Sequence, residues 1–136
     1  MTIVIIDDDE DELEYMKSAV DASYPMASCY TFNDCAKSLV VLEQMASPPD
    51  YIFLDVNMKK IDGEECLTEL RKIKSLEYSR VIMISSSMRS YEAKQRRLLE
   101  KGAYSVAEKP DSLDDYGKMF WSVIGNPKDK RDISSD

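Results

Sequence analysis

Short apolar runs alternate with longer amphipathic segments along the whole chain. Residues 2–6, 27–32, 51–54, 81–84 and 105–107 have strand length, and several are rich in the β-branched and aromatic residues that strands favour. Between them, apolar residues recur at steps of three or four: Leu13, Met16, Val20; Cys35, Leu39, Leu42, Ala46; Leu67, Leu70, Ile73; Tyr91, Gln95, Leu98; and Leu113, Tyr116, Phe120, Val123. That spacing paints one face of a helix. Five strands therefore alternate with five helices. Asn33 is placed to cap the second helix, residues 47–50 end it, Asp62 and Gly63 mark the loop before the third, and Gly102 stops the fourth.

Parallel strands need crossover helices, and strands covered on both faces are apolar throughout. The alternation thus predicts a doubly wound α/β domain with a five-stranded parallel sheet. From Gly125 onward the periodicity disappears into Gly, Pro, Asn, Ser and charges, so residues 1–124 are expected to form the domain and 125–136 a disordered tail. A chain of 136 residues with 43% hydrophobic residues buries a core large enough for one domain without staples.

Composition then narrows the chemistry. The chain has no histidine, which excludes Ser-His-Asp and Cys-His catalysis, histidine metal sites and a histidine phosphodonor within this sequence. The three cysteines, Cys29, Cys35 and Cys66, lack paired short spacing and are expected to be reduced thiols lining the core of a cytoplasmic protein. No apolar stretch reaches the length of a membrane span. The net charge of −8 is concentrated in Asp7, Asp8, Asp9, Glu10, Asp11 and Glu12; without them 20 acids face 18 bases. Such a balance disfavours nucleic-acid binding, which needs a basic face.

In a doubly wound sheet the functional crevice lies beyond the carboxyl ends of the strands. The residues there are Asp7 and Asp8 after the first strand, Asp55 after the third, Ser85, Ser86 and Ser87 after the fourth, and Lys109 and Pro110 after the fifth. Glu10, Asp11 and Glu12 read as the first turn of a helix, where acids complement the dipole. Asp55 is different, because a carboxylate at the end of Tyr51, Ile52, Phe53 and Leu54 is costly near other acids, about 4 kcal/mol per close like-charge pair at an effective dielectric of about 20. A divalent cation held by oxygen ligands offsets that cost, and Mg²⁺ suits carboxylates and water. With Lys109 opposite, cation and ammonium would clamp a phosphoryl group on Asp55 as nucleophile.

These residues are the ones that carry a resemblance. The segments 3–10, 51–58, 62–63, 81–86 and 108–110, in that order and at those separations, resemble the receiver domain of two-component response regulators over about residues 1 to 124. The resemblance implies a flavodoxin-like sheet of strand order 2-1-3-4-5. It implies Asp55 as phospho-acceptor from a sensor histidine kinase or a histidine phosphotransfer protein, and Mg²⁺ on Asp7, Asp8, Asp55 and the backbone carbonyl of Asn57. Lys109 would contact the phosphoryl oxygens, Ser85 would be the hydroxyl switch, and the Lys109–Pro110 bond would be cis. With no room for an output module after Gly125, the expected product is a single-domain switch that signals by protein–protein contact rather than an enzyme.

Two departures from the family pattern stand out. Lys59 occupies the place of a proline in the loop after the acceptor, so a more mobile or differently shaped loop between Asn57 and Asp62 is expected. Val106 replaces the aromatic switch three residues before the lysine, so Ser85 is expected to act through backbone shift alone, the alternative being that Tyr104, two residues earlier on the same face, substitutes in part. Ser86 and Ser87 read either as an ordinary turn or as an opening toward the donor. The bases of the fourth helix, Arg89, Lys94, Arg96, Arg97 and Lys101, read as a solvated face or as a docking surface for an acidic downstream partner. The competing functions are a receiver-like scaffold that is never phosphorylated and a Mg²⁺-dependent phosphohydrolase with an aspartate nucleophile. The latter lacks its second acid, because that position is Asn57.

Overall fold

The structure, a computed structural model, describes residues 1–86 and 92–127. Five strands, β1 (Thr2–Ile6), β2 (Ser28–Phe32), β3 (Tyr51–Asp55), β4 (Arg80–Ser85) and β5 (Ser105–Glu108), alternate with helices α1 (Glu10–Ser23), α2 (Cys35–Gln44), α3 (Gly63–Leu70), α4 (Glu92–Glu100) and α5 (Tyr116–Ile124). The strands pair in parallel in the order β2-β1-β3-β4-β5. This is the doubly wound, flavodoxin-like topology expected from the sequence.

Side chains alternate across the sheet and divide the core in two. Ile3 and Ile5, Tyr51 and Phe53, and Ile82 and Ile84 face α1 and α5, where Phe120 meets Phe53 edge-on with ring centroids 4.7 Å apart. Val4 and Ile6, Ile52 and Leu54, and Val81 and Met83 face α2, α3 and α4, represented by Leu42, Leu67 and Leu98. The same alternation determines what reaches the crevice. Asp7, Asp55 and Lys109 continue the positions of Ile5, Phe53 and Ala107, so all three stand on the α1/α5 side. Backbone bonds from Asp7 N–H to the Phe32 carbonyl and from Lys109 N–H to the Ser85 carbonyl, 3.0 and 2.9 Å, keep the ladder going past the strands.

The starts of α1, α2 and α3 are carboxylate-capped. Asp9 accepts from the amides of Asp11 and Glu12, Asp34 from Lys37 and Asp62 from Glu65. The cap of α2 is thus Asp34 and not Asn33, whose amide instead donates to Glu10 at the start of α1. Several predicted apolar positions fall outside helices: Ala46 beyond α2, Ile73 beyond α3, and Leu113 in a 3-10 turn before α5. Gly102 stops α4 with φ 110°, as its position implied. Ser87, Arg89, Tyr91 and the tail from 128 lie outside the described residues.

The cysteine expectation needs correction. Cys35 and Cys66 are joined as a disulfide, 31 residues apart in sequence with Cα atoms 6.0 Å apart, and only Cys29 is a free thiol. The pair arises because α2 and α3 pack side by side on one sheet face, a proximity that sequence spacing does not reveal. Among the described residues no helix is long and apolar enough to cross a membrane.

Candidate functional site

Each acid of the crevice is carried there by a rigid element. Asp55 is the last residue of β3 and is 4% exposed; Asp7, one residue past β1, is fully buried. Asp8 is the most open of the three. Carboxylate oxygens of Asp7, Asp8 and Asp55 all lie within 4.8 Å of one another. The ammonium of Lys109, with only 13% of its side chain exposed, sits 2.8 Å from Asp7 Oδ2 and 3.6 Å from Asp55 Oδ1. The amides of Asp9 and Asn57 donate to Asp7 and Asp55 at 2.9 and 3.2 Å.

One ammonium does not balance three carboxylates. Burial, with the charge of Asp7 adding to it and Lys109 opposing, pushes the Asp55 carboxyl up to about 7. Burial likewise raises Asp7, against its bonds to Lys109 and the Asp9 amide. For Lys109, burial works against the charged form, but the hydrogen bond to Asp7 and the charges of Asp55 and Asp7 outweigh it and the ammonium is held more tightly than usual. A cluster of oxygen donors that resists full ionisation until another cation arrives is the donor set a hard divalent ion selects. The residues present fit Mg²⁺ on that chemistry.

The loop after β3 is fastened from both sides. A Cβ on Gly63 would lie 2.3 Å from the Asp55 carbonyl oxygen and 2.6 Å from the Val56 Cα, so only glycine lets the start of α3 rest on the end of β3. The Lys59 amide donates to Asp8 Oδ2 at 2.9 Å, a bond that a proline could not make. The Lys59 departure thus gives the loop one more tie, and it orients an acid of the cluster. This donor was not legible in the side-chain pattern because it belongs to the backbone. Asn57 directs its side-chain amide to Ser85 Oγ at 3.2 Å, and Ser85 is 3% exposed.

Other sequence-marked residues fall elsewhere. Tyr104 precedes β5, its amide bonded to the Val81 carbonyl and its ring 4.8 Å from the Arg80 guanidinium. It is therefore held at the amino end of β4, the opposite end from Ser85, and does not substitute for the missing aromatic; Val106 packs into the core on the α2/α3/α4 side. The Lys109–Pro110 bond is trans, since no cis peptide occurs among the described residues. Two of the α4 bases are occupied within the molecule: Arg97 binds Glu64 in α3 at 2.7 and 3.0 Å, and Lys101 reaches it at 2.7 Å. Those bonds, foremost the one from Arg97, pull the Glu64 carboxyl down to about 2. In the acidic run, Glu12 accepts the Tyr116 hydroxyl from α5 as well as standing in the first turn of α1.

Solved structures share this architecture. The chemotaxis protein CheY4 of Vibrio cholerae superposes with a TM-score of 0.76 at 18% identity, covering 90% of this chain and 97% of its own. The Mn²⁺-bound response regulator Rcp1 does so at 0.74 and 21% identity, with 90% of each chain covered. The phosphorylated cyanobacterial phytochrome response regulator RcpA gives 0.77 at 22% identity, over 90% of this chain and 89% of its own. No curated protein sequence matches significantly. The sequence model of the response regulator receiver domain matches residues 3–119, and the chain belongs to that family.

Proposed function

We propose that Asp55 accepts a phosphoryl group from a phosphohistidine on a sensor histidine kinase or a histidine phosphotransfer protein, and that the loaded domain, residues 1–124, signals through protein–protein contact in the cytoplasm. The observation that carries this reading is the convergence of Asp7, Asp8 and Asp55 within 4.8 Å with the Lys109 ammonium against two of them.

Asp7, Asp8, Asp55 and the backbone carbonyl of Asn57 would hold Mg²⁺. The bound ion supplies charge neutralisation for the phosphoryl oxygens and for the carboxylates. Asp7 is engaged by Lys109 and the Asp9 amide, which suits it to a fixed role. At Asp55 the Asn57 amide and the nearer approach of Lys109 both fall on Oδ1, which leaves Oδ2 as the attacking oxygen. That oxygen bonds to phosphorus, the P–N bond to the donor imidazole breaks, and the imidazole takes up a proton. Lys109 then faces the added negative charge, and the Ser85 hydroxyl exchanges the Asn57 amide for a phosphoryl oxygen. That exchange would shift the connection to α4, through which an acidic downstream partner would be read; Lys94 and Arg96 carry the positive charge on that helix not already bonded to Glu64. Asn57 offers an amide where a phosphohydrolase needs an acid, so transfer and slow self-hydrolysis suit the site better than turnover.

The test is intact-mass and peptide mapping after incubation with Mg²⁺ and a small acyl phosphate. The expected result is one phosphoryl group on Asp55, lost in Asp55→Asn and after chelation. Unmodified wild-type protein, or modification that persists in Asp55→Asn, would contradict the reading.

A further inference from the structure

The N-terminal turns of α2 and α3 meet beneath the loop that leads away from Asp55. Cys35 is the first residue of α2 and Cys66 the fourth of α3. They are bonded to each other and are 4% and 0% exposed, in the core cluster that also holds Val56 and Met58 of that loop. The bond therefore brackets the segment between β3 and α3 at its base.

The two sulfurs differ in access. Cys35 lines a cavity of about 550 Å³ that opens beside Asp8, and Cys66 does not. The cavity wall also carries Lys37, Lys59 and Lys60, with Asp8 and Asp34 opposing them. Cys35 stands at the first position of α2, where the helix dipole and the lysines favour a thiolate, while Asp8 and Asp34, whose carboxylate already takes the Lys37 amide, act against it. Cys29 makes the contrast. It sits half-buried in β2, where burial pushes its thiol up to about 11. Intracellular disulfides, where they occur, are usually catalytic or redox-sensing rather than permanent.

We propose that Cys35 and Cys66 form a reversible thiol–disulfide site, entered through Cys35 and exchanged with low-molecular-weight disulfides that bear carboxylates. In the closing direction the Cys35 thiolate attacks one sulfur of the small disulfide. The small S–S bond breaks, a mixed disulfide forms on Cys35, and the departing thiolate takes the proton that Cys35 gave up. Cys66 then loses its proton and attacks the Cys35 sulfur, and the second small thiolate leaves with that proton. Two protein thiols are oxidised and one small disulfide is reduced to two thiols; the reverse sequence opens the site. The order follows from burial, since Cys66 is fully buried and Cys35 lines the cavity.

The site can be tested on the full chain by equilibration with oxidised and reduced glutathione, followed by alkylation and intact-mass measurement. The expected wild type loses two alkylatable thiols as the oxidised form becomes dominant and regains both when the ratio is reversed, while Cys29 stays alkylatable throughout. Cys66→Ser should accumulate a glutathionyl adduct on Cys35, because the resolving thiol is missing, and Cys35→Ser should leave Cys66 unmodified in the folded protein. The closed form should also unfold at a higher temperature than the open form, by roughly 5 °C or more. A bond that forms or breaks at no glutathione ratio, an adduct on Cys66 in Cys35→Ser, or no adduct in Cys66→Ser would overturn the proposal. Should a serine variant fail to fold, native alkylation of the pre-reduced wild type decides: Cys35 must label before Cys66. None of these readouts depends on phosphoryl transfer, so the two readings fail separately.

Discussion

The two ends of the sheet handle buried polarity in opposite ways. At the amino ends of the strands, Arg71 leaves α3 and donates to the carbonyls of Gly102, Leu76 and Ser79 at 2.9 to 3.0 Å, while the buried Ser79 hydroxyl donates to Pro49. All four of these acceptors are neutral carbonyls, and burial lowers the Arg71 guanidinium from its usual value. At the carboxyl ends, two buried acids and an open one share one ammonium, and Asp55 is pushed up to about 7. At the amino end the donors meet their acceptors and tie loops together. The other end is left short of positive charge, at the price of stability, and is ready to take a cation.

Breaking each end should therefore give different signatures. Lys109→Met removes the one cation paired with Asp7 and Asp55 among the described residues, and we expect a loss of about 3–5 kcal/mol in metal-free denaturant unfolding at neutral pH, partly restored by Mg²⁺. Arg71→Met leaves three carbonyls without their donor and should cost about 2–4 kcal/mol, unaffected by Mg²⁺ and with Asp55 still modified. A metal response in the Arg71 variant as large as in the Lys109 variant would erase the distinction.

The pH dependence follows from the sign of the shift. Asp55 is raised from 3.8 to about 7 in the folded state, so between those values the folded protein holds a proton that the unfolded chain releases. Metal-free stability should fall as pH rises through that window, with the penalty complete above about 7. Asp55→Asn, neutral and of the same shape, should flatten the trend and be the more stable protein by about 1–2 kcal/mol at pH 8 without metal. Thermal unfolding in chelator across the window checks this, and a wild type that gains stability with rising pH would contradict it. The smallest effect is expected from Glu64→Gln. The Glu64 side chain is 18% exposed, and its ties to Arg97 and Lys101 are surface bonds, so the unfolding midpoint should hardly move. Amide exchange in α4 should nevertheless quicken, because these ties hold that helix to α3.

Much of this was readable in the chain because it depends on local pattern. Apolar runs too short for helices, separated by three-to-four spacing, fix the β/α alternation; charged residues that interrupt those runs at their carboxyl ends mark the crevice. What escaped depends on contacts between distant segments or on groups that every residue carries. Cys35 meets Cys66 only because α2 and α3 are neighbours. Arg97 and Lys101 look solvated until α3 brings Glu64 beside them. Asn33 and Asp34 are equally competent caps one residue apart, and tertiary geometry chose the acid. The Lys59 bond to Asp8 comes from a backbone amide, and only the missing proline ring hints at it.

The charge-deficient end is tested most directly by calorimetric titration of the protein with Mg²⁺ at pH 7 in two buffers of different ionisation enthalpy. One ion should bind per chain with net release of protons, because the ion displaces the proton held by Asp55, and the release should disappear in Asp55→Asn. Binding without proton release, or the same release from Asp55→Asn, would contradict it.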